Sequence, residues 1–287
     1  MSAIFSLKAE VIINLMDDQQ FRKLLDFLNL SWKGYRKVRK GVKKGISRHM
    51  QEAGFRRIDE FLLAMEDHQE IRRHVEILLT VSISRFFRDR EVWHTLENQV
   101  LPLIHSKNPE KVIVWSAGCA CGEEAYSFEI LWERWRRQVA QSPDLELWAT
   151  DMNSLDLNKA RAGVYPLSSL KEISPEVRSQ YFQHVKETYF AISDSLKEGI
   201  RWRLHNLLSE DPPRIGLQII LLRNNLLTYY KDELQKSALR KILISLAPGG
   251  FLIIGAHEKI PGEFCDLSPF AGHRDIFRKA VIAGEES

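Results

Sequence analysis

The feature that most constrains the fold of this chain is a short apolar run that passes through a glycine-containing turn into the acidic start of a helix. Residues 112–115 form the apolar run, Gly118 and Gly122 lie in the turn, and Glu123 and Glu124 open the helical segment. In a parallel α/β sheet the ligand crevice lies outside the carboxyl ends of the strands, and glycine lets the backbone approach a bound nucleoside closely. This pattern predicts a cofactor-binding edge.

The charge of the turn indicates which cofactor would bind. Two carboxylates beside a pyrophosphate would repel it, so Glu123 and Glu124 argue against a dinucleotide. A ligand that carries an ammonium and a sulfonium group would be attracted, and S-adenosylmethionine carries both. A glycine turn after a strand is by itself a weak signal, and an ordinary strand–helix turn with exposed acidic residues explains the same pattern. The residues downstream bear on this choice.

A second predicted strand ends in an acidic residue. Residues 145–150 (Leu-Glu-Leu-Trp-Ala-Thr) lead directly into Asp151. In nucleoside-binding folds of this kind, an acid at the end of the second strand accepts hydrogen bonds from the ribose hydroxyls. Alternatively, Asp151 or Asn153 caps the helical segment that follows.

The composition is that of an ordinary globular protein. Of its 287 residues, 44% are hydrophobic and 28% are charged, and no apolar run is long enough to span a bilayer. The amino terminus lacks the basic lead and the long apolar core of a secretory signal. Cys119, Cys121 and Cys265 offer neither a convincing disulfide nor a cluster with metal-ligand spacing. We therefore predict a cytoplasmic protein with no metal ion and no membrane insertion.

Basic residues crowd into one segment, although the net charge of the chain is only +3. Val38, Val42, Ile46 and Met50 recur every four residues in the same region, which predicts one helix with an apolar side and a basic side. Either an acidic partner or a solvated face accounts for the charge. Nucleic acid is not favoured, because no aromatic stacking platform accompanies the segment. The basic residues are Lys33, Arg36, Lys37, Arg39, Lys40, Lys43, Lys44 and Arg48.

The sequence changes character after about Leu79. The residues before it contain helical patterns and no convincing strand, whereas the rest alternates strands with helices, as parallel sheets do. Pro-Gly-Gly at 248–250 ends the helix that precedes the fifth strand. Two domains are therefore predicted. The predicted strands lie near residues 111–115, 146–150, 200–204, 217–222, 251–254 and 275–282.

Several separated motifs, taken together in their order and spacing, resemble one family over nearly the whole chain. They resemble the CheR-type S-adenosylmethionine-dependent protein-glutamate methyltransferases of bacterial chemotaxis. The motifs are residues 80–88 (Thr-Val-Ser-Ile-Ser-Arg-Phe-Phe-Arg), 115–127 around Gly-Cys-Ala-Cys-Gly-Glu-Glu, 150–151 with 160–165, 205–208 (His-Asn-Leu-Leu), 222–224 with 229–230, and 248–250 with 255–258 (Gly-Ala-His-Glu).

The resemblance implies an α/β fold with a Rossmann-like, seven-stranded methyltransferase sheet. It also implies a small all-helical N-terminal domain and a small inserted antiparallel β-subdomain. We expect the helical domain at residues 1–79, a linker and the start of the catalytic domain at 80–107, and the methyltransferase domain at 108–287. The insertion is expected at about 181–202, and the protein is expected to be a monomer.

The resemblance assigns roles to individual residues as well. It implies that Glu123 engages the methionine ammonium group and that Asp151 engages the ribose. Arg88 and Tyr229 are our candidates for positioning the acceptor carboxylate, through a planar guanidinium and a hydroxyl donor. A purely structural role is the alternative for both. The other expected cofactor-binding residues are Asn206 and Leu207 at the adenine end, and Ser82, Ser84, Arg88, Arg223 and Asn224 along the remaining wall.

Two departures from the family pattern lie on the acceptor side. In the family, three residues separate an Arg-Asn pair from a tyrosine, whereas residues 225–228 separate the pair at 223–224 from Tyr229 here. Either the turn bulges, or Thr228 takes the position of the tyrosine. Leu222 stands where the family usually has a cysteine. These changes put the substrate in question more than the cofactor.

Two further departures lie later in the chain and in the insertion. The family pattern Gly-His-Ser-Glu becomes Gly-Ala-His-Glu at 255–258. The insertion contains His-Val-Lys-Glu-Thr-Tyr at 184–189, which lacks the glycine-bearing hairpin turn of family members that tether to a receptor pentapeptide. We therefore do not expect pentapeptide tethering, although a different turn would serve the same purpose.

Three functions are consistent with the sequence. The first is methylation of glutamate side chains of a chemoreceptor or a similar helical signalling protein, whose acidic surface the basic segment from Lys33 to Arg48 would bind. The second is methylation of another carboxylate, in a small molecule or a peptide, and the third is cofactor binding without catalysis. A glutamate with a pKa of about 4.3 is already a nucleophilic carboxylate near neutrality, so the reaction needs no general base.

Overall fold

The computed structural model describes residues 15–281, and the chain divides after Thr80 into two compact units. Within the described residues, no helix is both long enough and apolar enough to cross a membrane.

The first unit is helical. Its first helix begins with a capping box, in which Asp17 accepts from the backbone of Gln20 at 2.8 Å and Gln20 accepts from the backbone of Asp17 at 2.9 Å. The apolar side of that helix is buried through Phe21, Leu24 and Leu25. The helices are α1 (Asp18–Phe27), α2 (Trp32–Tyr35), α3 (Arg39–Glu52), α4 (Ile58–Asp67) and α5 (Gln69–Leu78).

The basic segment is not one continuous helix, and in this respect the sequence prediction was wrong. Helix α2 ends at Tyr35, and α3 begins only at Arg39, with Val38 as its N-cap. Tyr35 is buried, and its hydroxyl donates to the carbonyl oxygen of Leu79 at 3.0 Å. This tertiary contact anchors the end of α2, and the four-residue periodicity of the sequence does not reveal it.

The basic face is also smaller than predicted. Ile46 and Met50 are buried as the stripe requires, but Asp18 pairs with Arg39 at 3.2 Å and with Lys43 at 2.7 Å. Two of the basic residues therefore share one carboxylate within the unit. The exposed basic residues of the segment, here called the basic cluster, are Lys33, Arg36, Lys37, Lys40, Lys44 and Arg48.

The second unit alternates helices and strands. A π-helical turn (Leu96–Val100) joins its first two helices, and a 3-10 turn (Leu167–Leu170) follows its third strand. The helices are α6 (Arg90–Thr95), α7 (Leu101–His105), α8 (Glu123–Arg136), α9 (Ser154–Ala162), α10 (Pro175–Tyr181), α11 (Asp194–Glu198), α12 (Leu226–Tyr229) and α13 (Asp232–Ser245). The strands are β1 (Lys111–Ala117), β2 (Asp144–Asp151), β3 (Val164–Pro166), β4 (Phe182–Lys186), β5 (Tyr189–Ile192), β6 (Ile200–Leu204), β7 (Leu217–Leu222), β8 (Leu246–Ile254), β9 (Leu267–Pro269) and β10 (Ile276–Lys279).

Seven strands form one sheet in the order β6-β2-β1-β7-β8-β10-β9, which confirms the predicted fold class. The pairs from β6 to β8 are parallel, and β10 is antiparallel to both of its neighbours. From β1 the chain builds the sheet first to one side, through β2 and β6, and then to the other, through β7 and β8. The order therefore reverses between β1 and β7, which is where ligands bind in open α/β sheets.

All six strands predicted from the sequence are present in this sheet, with two differences. Strand β8 begins at Leu246 and not near Phe251. Pro-Gly-Gly at 248–250 lies inside this strand and does not end the preceding helix, and the pairing of β8 with β7 is irregular there. Strand β9 was not predicted, because its three residues carry no periodic pattern. Residue 282, at the end of the last predicted strand, lies outside the described residues.

The two faces of the sheet are buried by different helices. Val112 and Val114 belong to the core cluster on the face that α8 covers, whereas Trp115 belongs to the cluster on the face that α13 covers. The alternation along β1 follows from the two-residue repeat of a strand. A strand buried on both faces is continuously apolar, which explains the run Val-Ile-Val-Trp at 112–115.

A separate three-stranded antiparallel sheet, in the order β3-β5-β4, spans residues 164–192. It begins earlier than the expected insertion at 181–202, and residues 200–202 belong to β6 of the large sheet. The β4–β5 turn does form without glycine. Glu187 adopts a left-handed conformation there, with φ of 47°, and His184 Nε2 lies 2.6 Å from its carbonyl oxygen.

Phe86 joins the segment before α6 to this small sheet. Its ring makes edge-to-face contacts with Tyr165 and Phe182, with ring centres 4.9 and 5.1 Å apart, and it is fully buried. We expect Phe86→Ala to lower the free energy of unfolding by about 3–5 kcal/mol. The measurement is urea unfolding followed by tryptophan fluorescence. The control is Ile244→Ala, because Ile244 is an exposed residue of α13 and its replacement should change stability by no more than about 0.5 kcal/mol. Equal stability of the two variants would contradict this packing of Phe86.

Candidate active site

Most of the predicted site residues lie at or after the carboxyl ends of the parallel strands, whereas Ser82, Ser84 and Arg88 lie on the segment before α6. The backbone N–H groups of Gly118 and Cys119, just after β1, both donate to the carbonyl oxygen of Thr150 near the end of β2, at 2.8 and 2.9 Å. The N–H of His205, just after β6, donates to the carbonyl oxygen of Asp151 at 3.0 Å. These bonds join the ends of β6, β2 and β1 into one edge beside the reversal point.

The turn after β1 has three residues with positive φ, namely Gly118 at 82°, Ala120 at 49° and Gly122 at 90°. At Gly118 a β-carbon would overlap the amide of Asn225. At Gly122 it would lie 2.9 Å from Ala160 and from the ring of Trp202. Positive φ and close packing within the protein therefore both require glycine at 118 and 122. The sequence analysis had attributed these glycines to the approach of a ligand.

Asp151 is held by the same turn. Its Oδ2 accepts from the N–H of Ala120 and its Oδ1 from the N–H of Asn153, both at 2.9 Å. Helix α9 is capped by Asn153, whose side chain accepts from the N–H of Leu155 at 3.1 Å, so capping is not the role of Asp151. Burial raises the pKa of Asp151. The N–H of Met152 also approaches this carboxylate, which has about four acceptor sites, so one of them remains to accept from a hydroxyl.

Glu123 is a buried carboxylate that is not fully paired. The residue is 4% exposed, Oε1 accepts only a long hydrogen bond of 3.5 Å from Ser169, and Oε2 has no partner among the described residues. Burial raises its pKa to about 6. A buried carboxylate oxygen without a partner is costly, and a cationic ligand would satisfy it.

Glu124, the next residue, is fully paired. Its Oε1 accepts from Ser116 at 2.7 Å, and its Oε2 lies 3.4 Å from Arg223. Arg223 also pairs with Asp89 at 2.7 Å and donates to the carbonyl oxygen of Arg88 at 2.9 Å. Its side chain is 3% exposed. Arg223 therefore ties β7 to the segment before α6 through its two terminal nitrogens, whereas its buried Nε has no partner among the described residues.

Ser82 is likewise engaged with a protein group. Its hydroxyl donates to the buried carboxylate of Asp156, which also accepts from Asn153 at 2.8 Å and from Lys159 at 2.9 Å. Ser84, two residues after Ser82, is half-buried. The segment that carries the predicted residues 82–88 is thus fastened to the start of α9.

Asn206 and Leu207 follow β6, beside the end of β2. The side chain of Asn206 accepts from the N–H of Leu208 at 2.9 Å, and its own N–H donates to Glu210 at 2.9 Å. Leu207 packs against the core cluster that contains Trp115. Both residues shape a turn at this edge, and Leu207 supplies it with an apolar surface.

Arg88 and Tyr229 lie close enough to interact electrostatically. Burial raises the pKa of Tyr229, and the positive charge of Arg88 partly offsets this increase. Arg88 is 33% exposed, and its guanidinium lies 3.5 Å from the carbonyl oxygen of Ile83 and 4.0 Å from the carboxylate of Asp89. The two residues that were predicted to position an acceptor are therefore within electrostatic range of each other.

Thr228 and Tyr229 have different partners. The hydroxyl of Thr228 donates to Glu258 at 2.6 Å, whereas Tyr229 feels the charge of Arg88. In the preceding turn Asn224 has a positive φ of 58°, and Asn225 caps α12. Asn225 and Glu258 were not predicted as site residues, since their contacts join distant parts of the chain.

The cysteines of the turn are neutral thiols. Burial raises the pKa of Cys119 well above its usual range, and it raises the pKa of Cys121 to about 12. Between residues 15 and 281, no three His, Cys, Asp or Glu side chains are grouped so that they could hold a metal ion.

Comparison with known proteins identifies the family. The family described as "CheR methyltransferase, SAM binding domain" matches residues 82–273. This chain belongs to the CheR methyltransferase family. A chemotaxis protein methyltransferase of Listeria monocytogenes is 36% identical over 183 residues, which cover 64% of this chain and 67% of that protein. A probable chemotaxis protein methyltransferase of Rhizobium etli is 30% identical over 225 residues, which cover 76% and 83%.

Membership of the CheR family makes this chain an S-adenosylmethionine-dependent methyltransferase. The groups at the carboxyl edge fit that cofactor by charge. The buried Glu123 oxygen without a partner suits an ammonium group, and Asp151 retains an acceptor site for a hydroxyl. Arg223, the buried cation of the edge, is already neutralised by Asp89 and Glu124.

The raised pKa of Glu123 leads to a prediction about pH. Below about pH 6 the carboxylate takes up a proton and no longer attracts an ammonium group, so affinity for S-adenosylhomocysteine should fall from about pH 7.5 to about pH 5.5, approaching tenfold per pH unit at the acid end. Glu123→Gln should bind more weakly at neutral pH and lose most of this dependence. Calorimetric titration measures both.

Glu129→Gln is the matched control for this prediction. Glu129 is also buried on α8, and burial raises its pKa to about 7, but its side chain faces Gly199 and not the turn after β1. This variant should keep the pH dependence of the wild type. An affinity that is independent of pH in the wild type, or equal in Glu123→Gln, would remove Glu123 from the ammonium site.

Proposed function

We propose that this methyltransferase esterifies glutamate side chains of a chemoreceptor or a similar helical signalling protein. Two features at this side of the sheet support the proposal. The buried carboxylate of Glu123 suits a cationic cofactor, and Arg88 and Tyr229 suit an anionic acceptor. The names of the relatives, which are chemotaxis protein methyltransferases, support the choice of acceptor.

On the cofactor side, Glu123 would accept from the methionine ammonium group and Asp151 from the ribose hydroxyls. Asn206 and Leu207 would bound the adenine. The wall residues Ser82 and Asn224 would act through the backbone they hold, since the Ser82 hydroxyl donates to a protein carboxylate. Arg223 would hold the backbone through its terminal nitrogens and keep its buried Nε for the ligand. Ser84 would complete the wall between Ser82 and Arg88.

On the acceptor side, the reaction requires that the acceptor carboxylate be correctly oriented, and it requires no general base. When bound, S-adenosylmethionine supplies a methyl group on a positively charged sulfur. A carboxylate oxygen of the acceptor forms the new bond to the methyl carbon, the carbon–sulfur bond breaks, and its electron pair remains on the sulfur. No proton is transferred. Arg88 and Tyr229 would hold the acceptor carboxylate in line, because a guanidinium fork and a hydroxyl both donate to carboxylate oxygens.

The acceptor would be recognised by the basic cluster of the helical unit. Within the described residues, none of these exposed cations forms an ion pair with a carboxylate, in contrast to Arg39 and Lys43, which share Asp18. A cluster of one sign speeds encounter with an oppositely charged surface, and salt screens it. An acidic helical signalling protein fits this requirement.

The function is tested by methyl transfer to the signalling domain of a chemoreceptor. We expect transfer of labelled methyl groups to protein in a base-labile form, as carboxylate esters require. Replacing Lys37, Lys40 and Lys44 together by Gln should slow transfer about tenfold at low salt and much less at high salt, with cofactor affinity unchanged. The control replaces three exposed cations of the other unit, Lys107, Lys171 and Arg274.

The outcomes of this experiment separate the three functions. Label in a small-molecule or peptide fraction would favour another carboxylate acceptor. Tight cofactor binding without turnover on any acceptor would indicate a regulatory module. Equal rates for the basic-cluster variant and its control would show that the cluster is only a solvent-exposed face that binds no acceptor.

Arg88 provides a test of the acceptor site itself. Arg88→Lys keeps the charge but loses the fork, so single-turnover methyl transfer should fall by about tenfold to a thousandfold in Arg88→Lys and in Arg88→Ala. Thermal unfolding should change little. Arg85→Lys is the matched control, because Arg85 lies on the same segment and is exposed. Turnover close to wild type in both Arg88 variants would show that this arginine only packs.

A further inference from the structure

Glu258 is a buried carboxylate that joins the loops after β7 and β8. The residue is 8% exposed. Its Oε2 accepts from the N–H of Asn224 at 2.9 Å and from the N–H of Gly255 at 2.6 Å, and its Oε1 accepts from the hydroxyl of Thr228 at 2.6 Å. None of the site roles described above uses this residue.

The three donors need Glu258 to hold their present arrangement. Hydrogen bonds to a carboxylate are short and about twice as strong as those between neutral groups, and a buried N–H without an acceptor is costly. The approach is also tight: a β-carbon at Gly255 would lie 2.8 Å from Glu258 Oε2 and 2.9 Å from the Asn224 side chain. Glycine at 255 is what allows the carboxylate to reach both backbones.

Asn224 is the residue whose conformation this arrangement fixes. Its φ of 58° lies in the left-handed region, which asparagine adopts more readily than other residues with a side chain, and the surroundings stabilise it there. The hydrogen bond from its N–H to Glu258 is one such constraint. The left-handed kink directs the chain from the end of β7 into α12.

The short helix α12 carries two residues of the site at its ends. At its start, Asn225 caps the helix through the N–H of Leu226 and donates to the carbonyl oxygen of Ala117 at 2.5 Å, with its amide directly over Gly118. At its end, Tyr229 lies beside Arg88. Both the turn after β1 and the acceptor side therefore depend on where α12 begins.

We propose that Glu258 is a positioning residue, which sets the orientation of Asn225 and Tyr229 through its hydrogen bonds to Asn224, Gly255 and Thr228. Its hydrogen bonds go to protein groups after β8, before α12 and within α12, and its charge also acts on Tyr229. The part that concerns Tyr229 rests on the proposed function, because it assumes that Tyr229 contacts the acceptor. The part that concerns Asn225 does not.

The decisive test combines Glu258→Ala, Glu258→Gln and Tyr229→Phe. Glu258→Ala should lower single-turnover methyl transfer by about tenfold to a hundredfold. Glu258→Gln should stay within about threefold of wild type, because its amide oxygen can accept from both N–H groups and its amide nitrogen can donate to Thr228. Tyr229→Phe should lower transfer in the wild type but add little in Glu258→Ala, where the tyrosine is already displaced.

Two readouts do not depend on the acceptor. Amide hydrogen exchange of Asn224 and Gly255 should rise in Glu258→Ala and not in Glu258→Gln. Affinity for S-adenosylhomocysteine should fall about threefold to tenfold in Glu258→Ala only, because Asn225 no longer supports the turn at Gly118. If the wild type methylates no carboxylate, the proposed function fails, and these two measurements still decide the role of Glu258.

Several results would overturn the proposal. They are unchanged exchange and unchanged affinity in Glu258→Ala, equal losses in the Ala and Gln variants, or fully additive effects of Glu258→Ala and Tyr229→Phe. If Glu258→Ala does not fold, Thr228→Val takes its place, since it removes only the Oε1 contact and preserves shape. We then expect a loss of transfer of about threefold to tenfold that is non-additive with Tyr229→Phe, and additivity would count against the proposal.

Discussion

The site depends on the parallel pairing of β1 with β2 on one side and with β7 on the other. Parallel pairing brings the carboxyl ends of all three strands to one edge, and the reversal of strand order between β1 and β7 leaves a crevice there. Residues that are far apart in the chain, such as Asp151 and Asn225, meet the turn after β1 only because of this order.

Adjacent carboxylates at this edge have opposite environments. Glu124 is neutralised by Arg223 and hydrogen-bonded by Ser116, so it serves to fix the backbone, whereas Glu123 keeps an oxygen without a partner. Glu129 also has an oxygen without a partner, but only Glu123 lies at the carboxyl edge where ligands bind in this kind of sheet, so only there would a cationic ligand complete the site. Burial raises the pKa of both, but only Glu123 retains the capacity to bind a cation.

Carboxylates also organise the surrounding backbone. Asp156 accepts hydrogen bonds from Ser82, Asn153 and Lys159, and Glu258 accepts hydrogen bonds from the loops after β7 and β8. A reaction that needs no general base places its demands on orientation. Buried hydrogen-bonded acids that hold loops in place meet this demand, since their partners cannot shift without losing several bonds together.

The sequence by itself determined the fold class, the six strands it named, the glycine turn and the acidic residues after β1 and β2. These features are local, because apolar strands, glycine turns and polar strand ends follow from periodicity and backbone freedom over a few residues. Family resemblance added Arg88 and Tyr229, and it left open whether Thr228 replaced the tyrosine.

Only the tertiary structure decided which polar residues face protein and which remain available. Arg223 was expected along the cofactor wall and is enclosed by Asp89 and Glu124, and the basic segment is interrupted where Tyr35 reaches Leu79. The contribution of Glu258 follows from hydrogen bonds to residues 34 and 30 positions away in the chain. A hydrogen-bond partner that is distant in the chain has no local pattern, so its identity depends on how the strands are ordered in space.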